Sequence, residues 1–254
     1  MDLLAAILRR VDALPELGMQ VGGLSSLLLS SAPNDGAFVL DQIVRGAINS
    51  DPRSSAAMLS VTALLLGMGQ EGREAWDEAL GRIYEASAQE GRDLVTYLFL
   101  DLPPHRVLEN RKSLQGPRFE RDVSLGERKQ MARGVDRGVI DRLLLDLDPS
   151  VLQKLCANPR IREQDILKVC TRRPNMPEAL EEIVRSHRWL INGNVRFAVL
   201  CNPYAATGLG LKMLPTLRTQ EIRDVARALD LHPAISQTAG RLLSLRRDQR
   251  RGGA

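Results

Sequence analysis

Three cysteines, Cys156, Cys170 and Cys201, and three histidines, His105, His187 and His232, are the residues of this 254-residue chain best suited to metal binding or covalent chemistry. A zinc or iron-sulfur site draws on about four soft ligands, often in close CxxC pairs. Here the cysteines stand 14 and 31 positions apart. Each falls on an apolar stripe, where a thiol behaves as a small hydrophobe. The histidines show neither HxxxH nor HExxH spacing, and His105 and His232 adjoin prolines at turns or helix starts. Thr207-Gly-Leu-Gly-Leu-Lys212 has the glycines and lysine of a phosphate loop but not the GxxxxGK[ST] spacing or a preceding strand, so it reads as a close helix crossing. Trp76 and Trp189 form no arrangement that would hold a base. No catalytic, cofactor-binding or metal-ligating residue is assigned, no cofactor is expected, and the chain does not read as an enzyme.

The cysteines instead take part in a refrain. LCANPR, from Leu155, and LCNPYA, from Leu200, share Leu-Cys and Asn-Pro, with Asn158 and Asn202 standing 44 positions apart. Both read as the buried last turn of one helix followed by the start of the next.

Charge is the one strongly biased property. Residues 1–100 hold 7 Lys and Arg against 13 Asp and Glu, whereas residues 101–254 hold 28 against 18. Such a bipolar chain either presents oppositely charged regions to different partners or docks its own halves together. One basic group surrounds Arg106, Arg111, Lys112, Arg118 and Arg121, and another, Arg241, Arg246, Arg247, Arg250 and Arg251, lies at the end; each is a candidate contact surface, and the tail from Arg246 is expected to be frayed. Aromatics make up only 4% of the chain, which leaves a nucleic-acid groove without stacking partners.

The elements that position these residues are helical. Leu, Ala, Arg and Glu dominate, and β-branched runs are few. In the first half the spacing predicts helices over Leu3–Leu14, Val21–Leu29, Ala37–Ile48, Asp51–Met68, Glu71–Ala88 and Asp93–Leu100, with turns at Pro33–Gly36, Gly67–Gly72 and Pro103-Pro104. The uncharged run Ser54–Gln70 barely reaches the roughly 17 residues of a membrane span and reads as a core helix. The segment from Glu109 loses periodicity and reads as a linker, after which Ser124-Leu-Gly-Glu127 reopens the helical pattern as a capping box.

About seven short helices follow between Val139 and Leu243. Their stripes are Val139, Ile140, Leu143, Leu144 and Leu147; Val151, Leu152, Leu155 and Cys156; Ile166, Val169 and Cys170; then Ala179, Leu180, Ile183 and Val184. Asp148-Pro149 and His232-Pro233 read as helix starts, Asn175–Glu178 as a capping box and Thr219 as a cap, while Asn194 leads the stripe Val195, Ala198 and Val199. Helices this short are marginal alone and borrow stability from their neighbours.

The units DPSVLQKLCANP, NPRIREQDILKVCTRRP and NPYAATGLGLKMLP, spanning Asp148–Pro215, resemble degenerate HEAT-like or leucine-rich-variant helical repeats. The resemblance implies a stacked scaffold of a kind that commonly binds proteins and occasionally nucleic acid. The iron-sulfur segment that precedes some variant repeats has no counterpart here, for want of a cysteine cluster.

The expected architecture is therefore all-α: an N-terminal helical region over 1–108, a linker over 109–123, a HEAT-like α-solenoid over 124–247 and a flexible basic tail over 248–254. The expected function is a protein interaction scaffold in a reducing cytoplasm, without a membrane span. Arg162, Lys168, Arg172, Arg185, Arg196 and Arg223, basic and off the apolar stripes, would line the contact ridge and suit an acidic protein partner. A nucleic acid bound by the basic half is the alternative.

Overall fold

A computed structural model describes residues 3–68, 73–108, 116–146 and 148–252. All regular structure among them is helical. In chain order the helices are α1 (Leu3–Ala13), α2 (Leu17–Leu29), α3 (Pro33–Ile48), α4 (Pro52–Leu65), α5 (Arg73–Gln89), α6 (Asp93–Phe99), α7 (Leu125–Met131) and α8 (Arg137–Leu143). They continue with α9 (Pro149–Ala157), α10 (Glu163–Thr171), α11 (Pro177–Val184), α12 (His187–Leu190), α13 (Gly193–Leu200), α14 (Thr207–Met213), α15 (Thr219–Arg227) and α16 (Pro233–Gly252). A 3₁₀ turn, Leu214–Thr216, follows α14. Among the described residues no helix is long and apolar enough to cross a membrane.

The helices divide into two compact units. Residues 1–102 form the first together with 208–228 and 233–254; residues 103–207 and 229–232 form the second. This differs from the expected division. The chain changes unit at Pro103 rather than within 109–123, and the segment from Gly208 leaves the expected repeat region to join the N-terminal helices. Of the expected linker, residues 109–115, with Arg111 and Lys112, lie outside the described residues, as do Leu147 and the glutamate at 71; residues 116–124 are irregular.

The regrouping also balances charge. Residues 1–102 carry 7 Lys and Arg against 14 Asp and Glu, while 208–228 and 233–254 together carry 9 against 3. The first unit is thus close to neutral, and the bipolar sequence is largely one unit neutralising itself. Arg241 on α16 pairs with Asp93 on α6 at 2.6 Å and also donates to the Tyr97 hydroxyl.

Within this unit α3 is the spine. It begins at Pro33, where a turn was expected, because proline suits the first helical position and Asp35 places a carboxylate in the positive first turn. Gly36 leaves room for the Ile83 side chain of α5 to sit directly on the helix. Val39, Leu40, Ile43, Val44 and Ala47 are then buried against α4, α5 and α6. Asp51 caps α4 by accepting from the Ser54 amide at 2.7 Å, with Pro52 in the first turn. The late segment is tied in by polar contacts as well as by the buried Leu211, Met213 and Leu214. Thr62 donates to the Lys212 carbonyl at 3.0 Å, and the buried Arg246 donates to the Ile48 carbonyl and the Thr219 hydroxyl. The final helix continues through Gly252, so the segment expected to fray is helical there. No proline follows Pro233 to stop it, and arginine and glutamine favour the helix.

In the second unit, Ser124 and Glu127 form the expected capping box of α7, and Asp148-Pro149 opens α9. Two asparagines organise the rest. Asn158, just after α9, donates from its amide to the carbonyls of Ala132 and Gly134 beyond α7, both at 2.8 Å, while its Oδ1 accepts from the Arg160 amide. Asn202, just after α13, donates to the carbonyls of Cys170 and Arg172 at the end of α10, at 2.7 and 3.0 Å, while its Oδ1 accepts from the Tyr204 amide. Each buried side chain therefore satisfies carbonyls that a helix end leaves orphaned, and each pins one helix end to the turn after another helix.

The 44-residue offset extends beyond this pair. It aligns the N-caps Asp148 and Asn192, the buried Val151 with Val195, Leu155 with Val199, and Pro159 with Pro203. Asn192 caps α13, accepting from the amides of Asn194 and Val195. Asn175 donates to the Val169 carbonyl at 2.8 Å instead of capping α11. Thr219 is the first residue of α15 rather than its cap.

Candidate functional site

The 44-residue frame separates the two cysteines of the refrain. Cys156 aligns with Leu200 and is buried, whereas Cys201 aligns with Ala157 and is only half-buried, at the C-cap of α13. Cys170 is buried on α10. Burial pushes the Cys156 thiol up to about 12, with the charge of Glu182 adding to the effect, and burial raises Cys170 as well. A thiol in that condition is a packing group rather than a nucleophile. Among the described residues no group of His, Cys, Asp and Glu is placed to hold a metal ion.

Of the six basic residues selected for a contact ridge, Arg162, Lys168, Arg172, Arg185 and Arg196 lie in the second unit and Arg223 in the first. Arg162 is exposed at the N-terminus of α10 and Lys168 is exposed on its last turn. Arg185 is exposed at the end of α11 and pairs with Glu181 at 2.8 Å. Arg172 is half-buried, donates to the Leu145 carbonyl at 3.1 Å, and has its pKa lowered by burial.

Arg196 departs from expectation. It is 7% exposed and donates to the Leu190 carbonyl at 2.5 Å, so it belongs to the interior and not to a ridge. In the 44-residue frame it occupies the position of the buried Leu152. That alignment was the available signal, because Val195, Ala198 and Val199 alone leave position 196 beside the stripe.

Other arginines of this unit also serve helix ends. Arg188 donates to the carbonyls of Asn158 and Ile161 at 3.1 and 2.7 Å and lies over the Trp189 ring, 4.4 Å from its centroid. Trp189 itself donates to the Cys156 carbonyl at 3.1 Å. Arg137 grips the buried Asp165 with two hydrogen bonds of 2.8 and 2.5 Å. These bonds first, and the Arg162 amide after them, hold the Asp165 carboxyl down to about 2 despite its burial. Arg137 and Arg188 thus combine an exposed position with a structural bond to the chain. Of the residues selected in this unit, Arg162, Lys168 and Arg185 are exposed, and so are the apolar Val135, Leu145 and Ile191 in the turns between helices.

Arg223 has different surroundings. On α15 it shares a face with Thr219, Ala226 and Arg227, and this face meets Leu243, Arg246 and Arg247 of α16 around a pocket of about 260 Å³. Arg246 and Arg247, expected at the start of a frayed tail, are brought here because α16 continues past Leu243 at helical spacing.

Compared with known proteins, the chain matches no family, no curated protein and no solved structure.

Proposed function

We propose that the protein is a non-enzymatic interaction module whose second unit is a short HEAT-like stack offering a recognition surface to a protein partner. The observation that carries this reading is the paired asparagine lock at Asn158 and Asn202. The same side chain, at the same place in the 44-residue frame, ties a helix end to the turn after another helix. A layer fixed in this way by its own side chains leaves its outward positions available to a partner, as stacked repeats generally do. Arg162, Lys168 and Arg185 would supply charge for an acidic surface, and Val135, Leu145 and Ile191 would supply apolar contact. A nucleic acid is the alternative partner, favoured by the net positive charge of the second unit.

Photo-crosslinking residues introduced at positions 168 and 185, followed by irradiation in a native lysate, test the reading. Crosslinks to one protein, lost when Arg162, Lys168 and Arg185 are together replaced by Glu in a chain that still folds, support it. Crosslinks only to nucleic acid, with affinity falling steeply as salt rises, favour the alternative. A partner captured by the chain but unaffected by the triple replacement rules out this ridge.

A further inference from the structure

We propose that the pocket between α15 and α16 binds the phosphate or diphosphate group of a small anion. This is independent of the interaction reading, since every lining residue belongs to the first unit.

The pocket's composition is one-sided. It is lined by four arginines, Arg223, Arg227, Arg246 and Arg247, with Thr219, Ala226 and Leu243, and none of its lining residues is acidic. The arrangement follows from helical spacing. Positions 219, 223, 226 and 227 recur at one face of α15, positions 243, 246 and 247 at one face of α16, and the two helices pack along each other. Two rows of guanidinium groups therefore face a single space. The nearby carboxylates of α15 are engaged elsewhere: Glu221 accepts from Arg218 at 2.6 Å, and Asp224 accepts from Gln220 at 3.0 Å. Asp248 follows Arg247 on α16 but does not line the pocket.

The four cations differ in mobility. Arg246 is 6% exposed, and its bonds to the Ile48 carbonyl and the Thr219 hydroxyl fix its position. Arg223, Arg227 and Arg247 are exposed, and Arg223 makes only a 3.2 Å bond to Gln220 among the described residues. The pocket thus has a fixed charged wall and three adjustable guanidinium groups. A guanidinium fork matches two oxygens of a phosphate, so several around one space select a compact, multiply charged oxyanion over a carboxylate or chloride. The volume lies just below the roughly 300–1,000 Å³ of sites that enclose whole small ligands. It therefore suits a phosphate-bearing end, with any attached organic group outside. A flat polyanion such as duplex DNA would meet the three outer arginines but would not bring a phosphate to Arg246.

The test is calorimetric titration, with thermal unfolding alongside, of the full chain with inorganic pyrophosphate, with ADP and with adenosine, at constant ionic strength set by chloride. Pyrophosphate is expected to bind saturably and to raise the unfolding midpoint, because a ligand bound only by the folded state stabilises it. Equal binding of pyrophosphate and ADP, with none of adenosine, assigns recognition to the phosphates alone; tighter binding of ADP adds a nucleotide as the source. Replacing the exposed Arg223 and Arg227 by Gln is expected to leave the unliganded unfolding midpoint unchanged and to weaken pyrophosphate by about tenfold or more. No saturable pyrophosphate binding overturns the proposal, as does equal affinity in the R223Q/R227Q variant. Binding of a short DNA duplex without binding of pyrophosphate would overturn it too, leaving an open polyanion surface.

Discussion

Asp165 shows how a single residue is used in this chain. It is buried, accepts both branches of the Arg137 guanidinium, and caps α10 through the Arg162 amide. Its carboxyl is held down to about 2 in the folded state against about 3.9 in an unfolded chain. A depressed carboxyl stabilises above its unfolded pKa, so its contribution is complete above about pH 5 and is lost as the pH falls through 4 toward 2. With Arg137 part-exposed, Asp165→Asn is expected to cost about 1 to 2 kcal/mol at pH 7 and much less near pH 2, as read by urea unfolding at several pH values. The cysteines offer a second measurement. Brief alkylation at pH 8 is expected to label Cys201 first, with Cys156 and Cys170 protected until the chain unfolds. Because burial raises the Cys156 thiol to about 12, its effect on stability has the opposite sign and appears as a loss above about pH 8.5, where the unfolded thiol ionises. Cys156→Ala is expected to cost about 1 to 2 kcal/mol, and Cys201→Ala less because it is half-buried.

At the scale of elements, the asparagine locks make the sharpest claim. Asn202→Ala would strip the donor from the Cys170 and Arg172 carbonyls and leave a buried polar space. About 2 to 3 kcal/mol of destabilisation is expected, with Asn158→Ala comparable, by denaturant unfolding. Much of this level was legible in the sequence. Asp51-Pro52, Ser124 with Glu127, Asp148-Pro149 and His232-Pro233 mark helix starts because a capping side chain and a proline act locally. The same local logic misled at Pro33–Gly36, where turn-forming residues are also good first-turn residues and only packing on α5 decides between them. Helix α12 escaped notice because His187–Leu190 is too short to show a period; its place is set by Trp189 and Arg188 bonding to the chain near α9, which is a tertiary cause. Thr207–Lys212, expected at a close helix crossing, instead lies close to the chain just after α6: a Cβ on Gly208 would overlap the Leu100 carbonyl oxygen, and the Gly208 amide donates to the Leu102 carbonyl at 3.3 Å. The candidate site was less legible, since the partners of Arg196 and Arg246 are chosen by folding rather than by neighbouring sequence.

For the molecule as a whole, the first unit is discontinuous in sequence, and damage to its last helix is expected to be felt in its first helices. Arg246→Ala deprives the Ile48 carbonyl and the Thr219 hydroxyl of their donor. Hydrogen exchange is expected to show protection lost in α3 and α15 while α9 to α13 keep theirs, with about 2 kcal/mol lost from the first unit. Equal loss in both units would mean that they unfold as one.

That same discontinuity has a consequence in time. A ribosome delivers residues 1–102 first and must then make the whole of 103–207 before α14 can arrive. At about 5–20 residues per second, this is a wait of roughly 5 to 20 seconds. Throughout it, α3 and α4 lack the cover that the 3₁₀ turn from Leu214 later provides, while most of the second unit has already emerged. The nascent chain is therefore expected to finish its middle before its beginning, and to need shelter from aggregation for an interval set by translation speed.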